Sequence, residues 1–135
     1  MCKAGDIIVI QRYKSHGKDL SRHSFVVIDD QGGEIQGLPF DIASLVMSSF
    51  KDEKQKARKM KYPGTFPIVA EDVDVAGGND KSGYIKAEQF YYFKKDTIDY
   101  SVVGYLKPDI FNFLIEFIQD LVEQGIVLET RTDNL

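Results

Sequence analysis

Short apolar runs, each closed by a polar turn, make up most of the first half of the chain. β-Branched and aromatic residues predict strands at residues 5–10 and 25–28. The Asp-Asp-Gln-Gly-Gly segment after the second run predicts a hairpin with residues 34–36. Residues 11–21 are polar and are expected to form a mobile loop, whereas residues 38–41 are expected to form a break.

The apolar run at residues 42–50 is ambiguous, because it ends in the two polar residues Ser48 and Ser49. Its periodicity allows either a buried strand or a short helix. If a helix begins at Lys51, either serine could accept a backbone N–H as the N-terminal cap. The alternative is that the two hydroxyls hydrogen-bond the oxygen of a bound phosphate.

The second half of the chain contains further strands. Strands are predicted at residues 66–70 and 100–106, and residues 83–93 begin with the alternation of a strand before ending in an aromatic cluster. A loop is expected at residues 75–82. Its Gly-Gly-Asn-Asp segment is not a phosphate-binding loop, because no Gly-Lys-Ser or Gly-Lys-Thr follows it.

The clearest helix of the chain lies between Pro108 and Gly125, which are typical start and stop residues. Its apolar side is expected to comprise Ile110, Leu114, Phe117 and Leu121, with Phe111, Ile118 and Val122 adjoining. Residues 130–135 are polar and are expected to fray. Together the elements predict a mainly β protein with helices, of the α+β class, built as a small twisted sheet or partly open barrel.

A basic segment, residues 51–61, interrupts the run of predicted strands. It is rich in good helix formers and has almost no apolar stripe, so it is expected to be a solvated helix or a mobile loop. Six basic and two acidic residues give it a net charge of +4, so the rest of the chain carries −8. A local basic face on an acidic protein can still hold a phosphate backbone.

Length and composition restrict the class of protein. The 135 residues fit one domain, residues 1–135, with the apolar content of an ordinary globule. No apolar run could span a membrane, and no signal peptide is recognisable, so a cytoplasmic location is expected. The single cysteine, Cys2, excludes an internal disulfide. Two widely spaced histidines do not form a zinc pattern with it, and we expect neither a metal nor a cofactor.

Arg22 and His23 stand directly before the second predicted strand, where a loop feeds a rigid element. A histidine can give or take a proton near neutral pH, and an arginine can hold a phosphate through its planar guanidinium. The alternative for both is an ordinary solvated side chain. Whether these two residues form a site depends on whether Ser48 and Ser49 lie beside them.

The order of these segments resembles the MazF/PemK (Kid-like) toxins, which are small ribonucleases of bacterial toxin–antitoxin systems. Four short motifs carry the resemblance, and a C-terminal helix follows them as in that family. The motifs are Gly5-Asp6-Ile7-Ile8-Val9-Ile10, Arg22-His23-Ser24-Phe25-Val26-Val27-Ile28, Leu45-Val46-Met47-Ser48-Ser49 and Ser82-Gly83-Tyr84-Ile85-Lys86-Ala87-Glu88-Gln89.

The resemblance implies an SH3-like small β-barrel with a basic helical insert and a C-terminal helix. It also implies metal-independent, sequence-selective cleavage of RNA. In that reaction a ribose 2′-hydroxyl attacks the adjacent phosphate and leaves a 2′,3′-cyclic phosphate end. A proton acceptor, a proton donor and a group that stabilises the phosphorane charge are needed.

The resemblance also assigns residues, with departures from the family pattern. Alignment on Val26 and Val27 places His23 at the catalytic arginine, with Arg22 as its substitute, and Ser24 where proline is usual. Either Ser48 or Ser49 takes the role of the threonine or serine at the scissile phosphate, and Glu88 replaces an aspartate. Contacts with RNA are expected from Lys14, Lys18, Lys51, Lys54, Lys56, Arg58, Lys59 and Gln89.

The basic segment looks like an insertion after the catalytic strand. In this respect the chain is similar to the ToxN/CptN-like (type III) branch of these toxins, whose antitoxin is a folded RNA. The other branch uses a protein antitoxin and forms homodimers. The sequence leaves both partners open. Two other functions are also open: a non-catalytic RNA- or protein-binding module with the same barrel, and a toxin fold that has lost its activity.

Overall fold

The computed structural model describes residues 2–75 and 82–135, and this part of the chain forms twelve β-strands and two α-helices. The coarse prediction of a mainly β protein with helices is confirmed, because eight of the strands form one strongly curled sheet. The strands are β1 (Asp6–Ile10), β2 (Tyr13–Ser15), β3 (Lys18–Leu20), β4 (His23–Asp29), β5 (Gly33–Ile35), β6 (Leu38–Phe40), β7 (Ile42–Ser49), β8 (Thr65–Ile68), β9 (Val73–Val75), β10 (Gly83–Phe93), β11 (Tyr100–Leu106) and β12 (Glu129–Arg131).

Strand β4 lies near the middle of the sheet, whose order is β12-β10-β7-β4-β1-β11-β9 with β8 also pairing with β10. All of these pairs are antiparallel except β10 with β12. The ambiguous run at residues 42–50 is therefore a strand, β7, which pairs with both β4 and β10. Its apolar residues are buried from both faces, as befits a central strand.

Side chains that alternate along β4 enter two separate hydrophobic clusters. Phe25 and Val27 pack into the first cluster with Ile8, Tyr13 and other residues of one face. Val26, in contrast, packs into the second cluster on the other face, which includes the C-terminal helix. The period of two in a strand explains this division, and it also decides the direction of the polar residues at the start of β4.

Helix α2 (Pro108–Glu123) matches its prediction at both ends, with Pro108 in the first turn and Gly125 at a φ of +82° just beyond it. Leu114 and Leu121 are fully buried against the second cluster. The expectation for Val122 is wrong, since its side chain is 54% exposed. It lies about 100° around the helix from Leu121 and so turns away from the sheet.

Three predictions for the first half are wrong, because two small hairpins stand there. Residues 11–21 contain the β2–β3 hairpin in place of a mobile loop, and β5 pairs with β6 rather than with β4. Residues 38–41, expected to form a break, contain the whole of β6. Each hairpin turns at a residue–glycine pair with positive φ, which gives the backbone twist that short hairpins need; the pairs are His16-Gly17 and Gln36-Gly37.

The end of the chain is also ordered, contrary to expectation. Strand β12 pairs in parallel with β10. Beyond it, the Asn134 side chain bonds both the N–H and the carbonyl of Lys14, and Asp133 accepts the Gly17 N–H. Most of the loop predicted at residues 75–82, including its Gly-Gly-Asn-Asp segment, lies outside the described residues. Neither α-helix of the described chain is long and apolar enough to cross a membrane.

Helix α1 (Glu53–Lys59) forms within the basic segment and has no buried residue. Its N-terminal cap is Asp52, whose carboxylate accepts the backbone N–H of Gln55 at 2.7 Å. The hypothesis that Ser48 or Ser49 caps this helix is therefore wrong. Both serines belong to β7, and Asp52 takes the capping position because it stands directly before the first helical residue.

Candidate active site

The ends of β4 and β7 bring the two polar clusters of the sequence together. In their antiparallel register Ser24 lies opposite Met47 and Phe25 lies opposite Val46. The residues that flank this pairing are therefore Arg22-His23 on one strand and Ser48-Ser49 on the other. All four line one cavity of about 430 Å³.

Alternation along the strands divides these polar residues between two faces of the sheet. Ser24 shares a face with Val26, and Ser49 shares a face with Met47. We call this side the cavity face, because the apolar residues that line the cavity belong to the second hydrophobic cluster, as Val26 and Met47 do. His23 and Ser48 start from the opposite side, which we call the Tyr13 face, but they stand at the strand ends and therefore also line the cavity.

Aliphatic side chains form the floor of the cavity. Three of them are buried, and the others are half-buried: the six are Ile7, Met47, Ile68, Val73, Val75 and Val103. Gly83 completes the wall beside Ser49, its partner in the sheet. A Cβ atom at Gly83 would collide with the carbonyl oxygen of Ser48, so glycine is required for this close approach of β10 and β7.

Arg22 is an exposed cation at the rim of this cavity. Within residues 2–75 and 82–135, no carboxylate lies within salt-bridge distance of its guanidinium. Its five N–H donors are thus available to an external anion. A planar fork of this kind matches two oxygens of a phosphate better than an ammonium group does.

His23 is held in one orientation on the Tyr13 face. Its ring packs edge-to-face on Tyr13 with 5.3 Å between the ring centroids, and its Nδ1 lies 2.9 Å from the carbonyl oxygen of Ser21. A carbonyl can only accept a hydrogen bond, so Nδ1 carries the proton of this contact. In the neutral ring Nε2 then bears the lone pair that can accept a proton.

Tyr13 supplies packing rather than charge at this point. It is buried, and this burial, reinforced by Tyr91, raises its pKa to about 12. The phenol therefore stays neutral at physiological pH. Its ring also contacts Phe25 edge-to-face, with 5.0 Å between the centroids, so that His23 rests on the first hydrophobic cluster.

The cations of the basic segment fall into two groups. Lys56 and Lys59 lie over the rings of Phe50 and Tyr84, at 5.7 Å and 5.8 Å from the ring centroids. A second, separate concavity of about 550 Å³ is lined by the remaining cations Lys51, Lys54, Arg58 and Lys61, together with Asp52, Gln55 and Ala57.

The other residues predicted to contact RNA, and Glu88, which was expected to replace an aspartate, do not line the cavity. Lys14 and Lys18 are exposed on the β2–β3 hairpin. Gln89 donates a hydrogen bond to Glu129 at 3.0 Å, where β10 meets β12. Glu88, half-buried, packs against Gly64, and its Oε2 has no hydrogen-bond partner. Thus the structure brings together Arg22, His23, Ser48 and Ser49 but not these four.

Sequence reasoning missed Ser24 as a member of the site. It was noted only as a departure from the family pattern, yet it is half-buried on the cavity face between β1 and β7. The signal was available, because Ser24 stands two residues before Val26 and a strand repeats its facing every second residue. A polar residue in phase with buried apolar ones indicates a polar spot on an apolar wall.

A comparison of the chain with models of known protein families gives no match, and a comparison with curated proteins finds no relative. No group of three or more histidine, cysteine, aspartate or glutamate side chains is placed to hold a metal ion within the described parts of the chain.

Proposed function

We propose that the protein is an endoribonuclease toxin of a bacterial toxin–antitoxin system, with an SH3-like barrel of the MazF/PemK kind. The observation that carries this proposal is the meeting of Arg22-His23 with Ser48-Ser49 at the mouth of a cavity with an apolar floor. An anion-binding rim and an apolar floor together match a nucleotide, whose phosphate is charged and whose base is flat and largely apolar on its faces.

In this proposal, Arg22 binds the scissile phosphate and stabilises the negative charge of the phosphorane. Its guanidinium is exposed at the cavity rim and is not neutralised by a carboxylate of the described residues. Ser49 and Ser24 lie on the cavity face and donate hydroxyl hydrogen bonds to phosphate oxygens. A donor placed to stabilise developing charge contributes a factor of about 10²–10³ in rate.

His23 exchanges the protons of the reaction through Nε2. Its Nδ1 is already engaged with the Ser21 carbonyl, and that contact fixes the tautomer that a base requires. The 2′-oxygen forms a bond to phosphorus as its proton passes to Nε2. The bond from phosphorus to the 5′-oxygen breaks, and a proton returned to that oxygen completes the leaving group.

The decisive experiment incubates purified protein with a long, lightly structured transcript in excess EDTA. Discrete cuts that end in 2′,3′-cyclic phosphate are expected, and they should be lost in the His23→Ala protein. His16→Ala is the matched control, since His16 is exposed at the turn of the β2–β3 hairpin. Cuts that survive in His23→Ala would remove that residue from the mechanism, and cuts abolished by EDTA would contradict the metal-independent reaction.

A second function is supported by one specific observation, the concavity lined by the cations of helix α1. A non-catalytic RNA-binding module with the same barrel would use that surface and would leave the transcript intact. In that case binding would depend strongly on salt, whereas His23→Ala would change nothing. The same transcript assay, followed by a gel shift, distinguishes the two functions.

The partner of the proposed toxin is an antitoxin, either a folded RNA or a protein, and a homodimer accompanies the protein type. Copurification of the toxin with its native genetic neighbour separates these alternatives. An RNA that resists extraction by high salt but is destroyed by ribonuclease would support the RNA type. A bound protein without RNA would contradict it.

A further inference from the structure

The two groups of cations in the basic segment, residues 51–61, are held in different ways. Lys56 and Lys59 each lie over an aromatic ring, and the two rings, Phe50 and Tyr84, contact each other with 5.0 Å between their centroids. Helix α1 buries none of its residues, so these contacts and the hydrogen bond from the Thr65 hydroxyl of β8 to the Lys59 carbonyl attach it to the sheet. Lys56 and Lys59 therefore have a structural task and face the protein.

The outer group faces solvent and is concentrated on one side. Lys54 and Arg58 are four residues apart in α1, which places their side chains on one face of the helix, and Lys51 and Lys61 flank the helix at its two ends. All four line the 550 Å³ concavity. Within the described residues none of the four is in a salt bridge.

One acid, Asp52, lines this concavity beside four cations, which leaves its lining with a net charge of +3. A carboxylate oxygen of Asp52 accepts the Gln55 N–H as the helix cap, so the carboxylate is oriented toward the backbone. The rest of the chain outside the basic segment carries a net charge of −8. A polyanion would therefore be attracted to this surface and repelled by most others.

The outer cations also continue directly from the proposed catalytic cavity. Lys51 follows Ser49 by two residues, so the two Cα atoms are at most about 7 Å apart. A strand with one phosphate at Ser49 could thus place its following phosphates along the outer side of α1. This continuity favours a nucleic-acid backbone, with its regularly repeated charges, over an isolated anion.

We propose that Lys51, Lys54, Arg58 and Lys61 form a track for the phosphate backbone of single-stranded RNA leaving the cavity, and that Lys56 and Lys59 are not part of it. The inference rests on the proposed function for its substrate. The sequence grouped Lys56 and Lys59 with the other basic residues as RNA contacts, and the inference separates them. The RNA-binding charge is then on the outer side of the basic segment, which faces solvent.

Two double variants with the same loss of charge test this assignment. Lys54→Gln with Arg58→Gln removes two outer cations, and Lys56→Gln with Lys59→Gln removes two inner ones. Affinity is measured by fluorescence anisotropy with a short 2′-O-methyl RNA, which lacks the attacking hydroxyl and cannot be cut by the proposed reaction. KCl is varied between about 50 and 200 mM.

The outer variant is expected to bind more than tenfold more weakly at the lowest salt. The slope of log K against log[KCl] should become shallower by about 1.4, since each lost phosphate contact removes about 0.7 for a single strand. The inner variant should keep the wild-type slope and melt at a lower temperature. Equal changes in both variants, or an unchanged outer variant, would overturn the proposal.

Failure of this inference can be told apart from failure of the ribonuclease proposal. Suppose that the wild-type protein never cuts RNA, but that only the outer variant shows a shallower slope of log K against log[KCl]. The phosphate track then stands without the catalytic function. If the transcript is cut and the outer variant binds like wild type, the catalytic function stands without the track. An acidic peptide bound more tightly than the RNA at the outer cations would also overturn the proposal.

Discussion

The cavity face and the Tyr13 face are built from the same two strand ends, yet they offer opposite chemistry. Ser24 and Ser49 open onto an aliphatic cavity beside the exposed Arg22, whereas His23 is packed on Tyr13 and tied to a backbone carbonyl. The difference arises only from the period of two in a strand. Because the two faces meet at the strand ends, His23 still lines the cavity at whose rim Arg22 stands.

Among the variants that test this comparison, Arg22→Ala is expected to reduce cleavage most, because it removes the cation beside the cavity face. Cleavage should fall by about 10²–10³-fold, as for the loss of a group that stabilises developing charge. The free energy of unfolding should stay within about 0.5 kcal/mol of wild type, because the side chain is exposed.

Single-turnover cleavage and urea denaturation measure the two quantities for Arg22→Ala. Arg12→Ala is the matched control, since Arg12 is equally exposed but does not line the cavity. A similar loss of cleavage in both variants would mean that charge in general, and not the position of Arg22, matters.

The two serines of β7 provide a second contrast of smaller size. Ser49→Ala removes a hydroxyl from the cavity face and should slow cleavage by about 10–100-fold, the worth of one hydrogen bond to a charged group. Ser48→Ala changes the opposite face and should slow it less. If Ser48→Ala proves the more damaging, the assignment of the cavity face to the phosphate is wrong.

Thermal melting of the same serine variants checks their structural role. Neither serine caps helix α1, so neither variant should lose stability, whereas Asp52→Ala should lose about 0.5–2 kcal/mol. A loss of that size in Ser49→Ala would show that its hydroxyl supports the fold, and the fall in cleavage would then need another explanation.

The smallest effect concerns Tyr13 and appears only in alkali. Its pKa of about 12 in the folded protein exceeds the ordinary value of 10, so the folded state favours the protonated phenol. The associated stability is complete below pH 10 and is lost as the pH rises toward 12, by at most about 1.4 kcal/mol per pH unit.

Tyr13→Phe should therefore lessen the alkaline fall of the urea midpoint. Part of the fall will remain, because burial also raises the pKa of Tyr92 and Tyr100. Tyr62→Phe, at a side chain that is 59% exposed, should leave the fall as it is. An identical pH profile for Tyr13→Phe and wild type would show that the phenol is not held in the apolar cluster beside His23.

The parts of the fold that follow from local signals were predictable from the sequence. Helix α2 combines an apolar stripe with Pro108 and Gly125, and β11 is a compact β-branched run, so both were predicted at nearly their true bounds. The run that became β7 stayed ambiguous, because a serine pair fits both a strand end and a helix cap. Asp52 resolves it by taking the cap.

The parts that depend on remote contacts were not predictable in the same way. The β2–β3 hairpin has a polar sequence, and its backbone is held by Asp133 and Asn134 from the far end of the chain. The residue–glycine pair at its turn was the one local signal of a hairpin. From the sequence it was clear that a site would form only if Arg22-His23 lay beside Ser48-Ser49. Whether they do depends on the register of β4 with β7, which only the structure shows.

Strand β1 pairs with β4 on one side and with β11 on the other, where Asp6 lies opposite Tyr105. During synthesis, β1 and β4 emerge from the ribosome long before β11, which supplies Val103 to the cavity wall. The emerging chain therefore carries an open strand edge until most of it has been translated, and it completes its sheet slowly because the pairing is so distant in sequence. If the cavity acts on RNA, translation itself delays the moment at which a newly made molecule becomes active.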